Sequence, residues 1–180
     1  MAKELITSIG IDLSLVGTGL VVLENGVITE QKLIKSKPVG DRPIDELGRI
    51  RKIVLQIEEI VDKYRPSIAV IENLAFAVRS TTSLTQLAGL SYFVRALLLD
   101  YGIPFYLVAP TTLKRFITGK GNSEKDHVIL EVYKQYGVDF VDNNIADAIV
   151  LAKIGFMFMG GDKPKAIYQT ETIELLKKQS

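Results

Sequence analysis

Along the first 35 positions, short apolar runs are broken by single polar residues and turn signals, a rhythm that fits strands rather than helices. Leu5 to Asp12 reads as a strand whose apolar character stops at a carboxylate, and Thr18 to Leu23 as a second strand after a turn containing Gly17. Asn25-Gly26 marks a tight hairpin, and Val27 to about Lys35 a third strand, so the first three form an antiparallel meander. Lys37 to Pro43, with Gly40 and two prolines, is a loop. From Ile44 to Tyr64 the apolar positions fall at 44, 47, 50, 53, 54, 57, 60, 61 and 64, the single stripe of an amphipathic helix. Pro66 stops it. Ser67 to Glu72 is short, apolar and β-branched, consistent with a strand buried on both faces, and it too ends in a carboxylate.

The second half predicts a helix from about Thr82 to Tyr101, a strand from Ile103 to Val108, and a short helix opened by Pro110 and Thr111 through about Ile117. The glycine-flanked loop Gly119 to Asn122 leads into a helix with Ser123 as its cap, running to about Tyr136. A last core helix begins between Asp142 and Asn144 and continues to about Phe158. After Gly160-Gly161 the tail is polar, with room for one more short helix. A hairpin meander followed by βαβαα predicts an α/β fold: a mixed sheet, antiparallel then parallel, with helices on both faces. We expect one domain over residues 1–159 and a C-terminal extension over 160–180.

Composition narrows the chemistry. At 47% hydrophobic and 24% charged the chain is an ordinary globular sequence, not a disordered one. It has no cysteine, which excludes disulfides, thiolate metal sites and cysteine nucleophiles; a single histidine, His127, argues against multi-histidine metal sites and a serine–histidine triad. Any metal must be held by oxygen. Met1 to Glu4 runs straight into strand-like sequence without a signal-peptide apolar region, and no apolar run is long enough to span a bilayer, so a cytoplasmic location is expected. The net charge of +1 makes no whole-chain case for a polyanionic partner. Residues 79–125, however, hold six basic side chains (Arg79, Arg95, Lys114, Arg115, Lys120, Lys125) against two acidic ones.

Asp12 and Glu72 both end apolar runs, where an unpaired carboxylate is costly to desolvate. Asp147 sits between Ala146 and Ala148 in the last core helix, with Asn144 three residues earlier on the same face. Small flanking residues let such a helix approach a sheet closely. If the first and fourth strands are neighbours and this helix crosses their carboxyl ends, the three acids converge with Asn144 at the rim. Three like charges need a counter-charge, and Mg²⁺ or Mn²⁺ suits carboxylate oxygens and water. Two such ions about 3.5 to 4 Å apart activate water and stabilise a leaving 3′ oxygen in phosphodiester hydrolysis. Taken singly, each acid reads as a cap, a turn residue or a solvated strand end. Asp142 reads as a helix N-cap, lying off the face of Asp147. Gly10, Gly17 and Gly19 match no phosphate-binding loop and read as turn residues. His127 sits in a helix outside the acidic set.

Ile9-Gly-Ile-Asp12, Val70-Ile-Glu72 and Ala146-Asp-Ala148 resemble, in order and spacing, the acidic motifs of RNase H-like nucleases. The segment from Thr118 through Lys125 to Val128 resembles the basic loop of RuvC-type Holliday junction resolvases. The resemblance spans roughly Leu5 to Phe158. It implies an RNase H-like fold, catalytic and metal-binding roles for Asp12, Glu72 and Asp147, and Mg²⁺ as cofactor with Mn²⁺ as substitute. The family's fourth ligand, commonly an aspartate or histidine, falls on Asn144, a weaker neutral ligand. The resemblance also implies phosphate contacts from Lys114, Arg115, Lys120 and Lys125, with Lys120 or Lys125 stabilising transition-state charge. Phe76, beside Arg79, resembles the loop aromatic that wedges against unpaired bases at a junction centre; a core role is the alternative. The expected partners are four-way DNA junctions and a second copy of the chain, whose interface would by analogy be the apolar face of Thr82 to Tyr101; such a stripe is more often intramolecular core. No membrane and no organic cofactor is expected.

Three other readings compete: a related nuclease acting on RNA/DNA hybrid or structured RNA, an actin-like nucleotide-binding domain sharing the opening Ile-Gly-Ile-Asp strand, and a junction-binding protein without catalysis. The basic loop favours the junction enzyme. The chain's length disfavours the two-domain actin-like architecture, and the neutral Asn144 is what keeps the binding-only reading in play.

Overall fold

The structure is a computed structural model that describes residues 5–74, 81–138 and 142–179. Its elements follow the predicted order: β1 (Thr7–Asp12), β2 (Gly17–Glu24), β3 (Val27–Lys35), α1 (Pro43–Tyr64), β4 (Ile68–Glu72), α2 (Thr81–Asp100), β5 (Phe105–Val108), α3 (Pro110–Thr118), α4 (Lys125–Tyr136), α5 (Asn143–Phe158) and α6 (Ile167–Lys177). The five strands form one sheet in the order β3-β2-β1-β4-β5. β1, β2 and β3 pair antiparallel, whereas β4 runs parallel to both β1 and β5. Asn25 and Gly26 both take positive φ (49° and 84°), the pair of left-handed residues that a tight hairpin between right-twisted strands requires.

Side-chain alternation divides the core into two layers. Ile9, Ile11, Leu20, Val22, Ala69 and Ile71 face α1 and α2, the helices that contribute Ile50, Ile53, Ile57, Leu90 and Val94. The opposite parity, Val21, Leu23, Val70 and Val108, faces α5 and the helices packed around it. Asp12 and Glu72 have this second parity, so both point to the α5 side. β1 presents Ser8 and Gly10 there, and α5 answers with Ala148, Ala152 and Gly155. The Ser8 hydroxyl donates to the Ala152 carbonyl at 2.9 Å. A Cβ on Gly10 would lie 2.0 Å from Ala148 O, and one on Gly19 2.1 Å from Asn144 O. Gly10 and Gly19 are therefore close-approach residues inside strands, correcting the turn reading; in sequence the two uses look the same.

The N-terminus of α4 also departs from expectation. Its N-cap position is Glu124, which makes no side-chain capping bond. Ser123 is instead buried, its hydroxyl 2.7 Å from that of Thr118, so its bonding turns back into the loop and not into the helix. The N-cap assigned to Asp142 is observed: its carboxylate accepts from Asn144 N at 2.8 Å. The tail forms α6, which packs against α3, α5 and β5. Among the described residues no helix is long and apolar enough to cross a membrane.

Candidate active site

β1 and β4 are in parallel register up to Ile11 opposite Ile71, so the next positions, Asp12 and Glu72, stand side by side at the carboxyl ends of two central strands. At that spacing the two carboxyls perturb each other electrostatically. α5 crosses this end of the sheet at backbone-to-backbone distance because Gly10 and Gly19 carry no side chain. That approach brings Asp147 to the same cleft, while its neighbours Ala146 and Ala148 are buried. The cleft holds about 340 Å³, and its polar lining includes all three acids together with Asn144, Lys114 and Lys125.

Burial sets the electrostatics. Asp12 is only 5% exposed. Desolvation first, then the charge and hydrogen bond of Glu72, push its carboxyl up to about 8, against an opposing pull from Lys125. Asp147 is raised to about 7 by burial and by Asp12, with Lys125 and Lys114 acting the other way. Glu72 is raised as well, chiefly by burial and further by Asp147, while its hydrogen bond to Asp12 and the two lysines oppose the shift. Three carboxyls thus share a site in which two lysines offset only part of their mutual repulsion.

This donor set suits a hard divalent cation, which prefers carboxylate oxygen and carries the missing positive charge. As the side chains stand, among the described residues no group of three or more His, Cys, Asp or Glu forms a ready-made metal cage.

The other expected site residues separate into three groups. Asn144 lines the cleft, but its amide Nδ2 donates to Gly17 O at 2.6 Å, leaving Oδ1 as the atom with ligand character. Lys114 and Lys125 both line the cleft, from α3 and from the first turn of α4. Lys120 is exposed on the intervening loop and is not among the cleft residues. Arg115, one position from Lys114, points the other way and pairs with Glu171 of α6 at 2.6 Å. Phe76 and Arg79 lie outside the described residues. His127 is exposed on α4, with Nε2 3.7 Å from Glu131. A larger cavity, about 390 Å³, lies between α4, α5 and α6; its one acidic side chain, Asp162, is held by Lys153 at 3.1 Å.

Sheet topology and the gathered acids define the class, an RNase H-like nuclease domain. The family model of crossover junction endodeoxyribonuclease RuvC matches residues 8–154, and the chain belongs to this family of divalent-metal, Holliday junction resolving endonucleases. The RuvC of Carboxydothermus hydrogenoformans is 29% identical over 159 residues, covering 85% of this chain and 97% of that one. The RuvC of Rickettsia typhi is 30% identical over 149 residues, 80% and 92% of the two chains. Among solved structures, T. thermophilus RuvC in complex with a Holliday junction aligns with a TM-score of 0.71 at 21% identity, over 88% of this chain and 99% of that one, a likeness of fold.

Proposed function

We propose that this chain cuts four-way DNA junctions with Mg²⁺ held by Asp12, Glu72 and Asp147, the Asn144 Oδ1 serving as a neutral fourth ligand. The observation that carries this reading is the meeting of three carboxyls, each raised above its ordinary range chiefly by desolvation, with two lysines in one cleft at the carboxyl ends of β1 and β4. Asp12, Glu72 and Asp147 would hold the ion, which would supply activation of water and stabilisation of the leaving 3′ oxygen. The protein's own contribution is threefold. Asp12 and Asp147, raised to about 8 and about 7, would give up their protons on taking up the ion. The close crossing of α5 over Gly10 and Gly19 holds Asp147 in the same cleft as the other two acids. Lys114 and Lys125 supply the positive charge that receives the scissile phosphate and offsets charge growing in the transition state. Lys120 acts further out, as a phosphate contact on the loop; Phe76 is assigned the wedge against unpaired bases and Arg79 a DNA contact.

Symmetric paired nicks need two active sites, and we assign pairing of two copies to the α1–α2 face. Tyr92, Phe93 and Leu99 stand 66%, 48% and 72% exposed there, beside a shallow apolar groove lined by Leu47, Val54 and Leu55.

The test offers end-labelled four-way junctions, linear duplex and RNA/DNA hybrid to the protein with Mg²⁺, Mn²⁺ or EDTA, with Asp147→Asn as control. Paired nicks at symmetry-related positions, absent with EDTA and in the variant, are expected. Cleavage of the hybrid alone would reassign the chain to RNA, and tight junction binding without cutting would reduce it to a binding protein.

A further inference from the structure

The matched family residues end at 154, whereas α6 begins at Ile167. This helix buries Gln169, Thr172, Ile173 and Leu176, and three of its contacts converge on the segments that flank the cleft. The Tyr168 ring lies over Gly119, with Cε1 3.3 Å from where a Cβ on that glycine would sit. Glu171 holds Arg115 of α3. Gln179, just past the helix, accepts from Leu107 N at 3.0 Å and donates to Leu107 O at 2.9 Å, occupying the open edge of β5 one residue before Val108, the partner of Glu72.

The turn between α3 and α4 is closed on itself. The hydroxyls of Thr118 and Ser123 are 2.7 Å apart, Lys120 N donates to Thr118 Oγ1 at 3.1 Å, and the Ser123 hydroxyl donates to Lys120 O at 3.0 Å. Thr118 Oγ1 also lies 2.8 Å from Lys114 O. A segment bonded this way moves as one piece, so a displacement at Gly119 reaches Lys125 instead of being absorbed in the loop. Gly119 has φ +79°, the left-handed residue at which the chain leaves α3. The Arg115–Glu171 pair is half-exposed at both ends and adds little by itself. The ring of Tyr168, seated where the buried face of α6 meets the turn, is the stiffer contact.

We infer that α6 is a brace that sets the position of Lys114 and Lys125 against the acid cleft, with Tyr168 as its positioning residue. The inference rests on the role given above to those two lysines. Tyr168 is not among the residues lining the acid cleft; it acts through Gly119 and the hydroxyl-locked turn.

The test uses the full chain bound to saturating four-way junction and measures single-turnover cleavage on adding Mg²⁺, alongside the junction Kd. Tyr168→Ala is expected to slow cleavage about tenfold or more, since an offset of about 1 Å in a catalytic group has effects of this order, while Kd stays within about threefold. Tyr168→Phe restores the wild-type rate, because the ring and not the hydroxyl makes the contact. Lys125→Ala combined with Tyr168→Ala is slowed by less than the product of the two single effects, the remainder acting through Lys114. A wild-type rate for Tyr168→Ala, independent slowing in the double variant, or a loss confined to Kd would each overturn the inference and leave the cleft reading standing. A wild-type rate for Lys125→Ala would overturn the cleft reading and the brace with it. If Tyr168→Ala does not hold its fold by circular dichroism, Tyr168→Leu takes its place under the same criteria.

Discussion

Replacing Gly10 with alanine adds one methyl group at the crossing of β1 and α5. The new Cβ would lie 2.0 Å from Ala148 O and 2.4 Å from Ala152 N, both backbone atoms that no rotamer change can move. Ordinary contact needs about 3.5 Å, so α5 must retreat by about 1 Å or more. Overpacking of this kind costs about 1 to 3 kcal/mol, and a rigid backbone partner puts Gly10→Ala at the upper end. The same retreat carries Asp147, the residue before Ala148, away from Asp12 and Glu72, and misplacement on this scale lowers cleavage about a hundredfold. Gly48→Ala in α1 is the control. A Cβ there meets nothing within 4 Å, and alanine in place of a helix-interior glycine stabilises by about 0.5 to 1 kcal/mol. Urea unfolding followed by circular dichroism reads both stabilities, and single-turnover junction cleavage reads the site. A Gly10→Ala protein within about 0.5 kcal/mol of wild type and cutting at full rate would refute the close-approach argument.

Three further predictions bear on the cleft. Because the carboxyls of Asp12 and Asp147 are raised to about 8 and about 7 from ordinary values near 3.8, they favour the folded state below pH 4 and withdraw that support as pH rises to about 8. In EDTA the melting temperature of Asp12→Asn relative to wild type should therefore climb over that window; a constant difference would contradict the burial argument. Asn144→Asp should lower the Mg²⁺ concentration needed for half-maximal cleavage while destabilising the protein in EDTA by about 1 to 3 kcal/mol, since the bond to Gly17 O becomes a carboxylate facing a carbonyl. An unchanged Mg²⁺ requirement would remove Asn144 from the ligand set. Lys125→Ala and Lys114→Ala should each cost about tenfold or more in single-turnover rate, whereas Lys120→Ala should chiefly weaken junction binding and flatten its salt dependence. The reverse ranking would return the catalytic role to Lys120.

The strands, the helices and the three acids were legible in the sequence because they depend on local rules. An apolar β-branched run needs a strand, Asn-Gly needs a tight hairpin, a stripe of apolar residues with helical spacing needs a buried face, and a carboxylate ending a buried run needs an explanation. Asp12, Glu72 and Asp147, each at the end or on the face of a buried element, point to an oxygen-held metal, and their order and spacing resemble the acidic motifs of RNase H-like nucleases. The long-range packing decided the rest. Lys114 and Arg115 are adjacent in sequence, and only the seating of α3 between the cleft and α6 sends one to the acids and the other to Glu171. Lys120 and Lys125 share one basic loop, and the hydroxyl lock between Thr118 and Ser123 determines which of them reaches the carboxyls. Gly10 and Gly19 read like turn glycines until α5 is laid across them at backbone distance. The polar tail acquires a place only because its helix finds a buried face beside α3 and its Gln179 finds the unpaired edge of β5. Such contacts join residues far apart in the chain and depend on volume, helix phase and unpaired backbone groups, none of which a local pattern of residue types encodes.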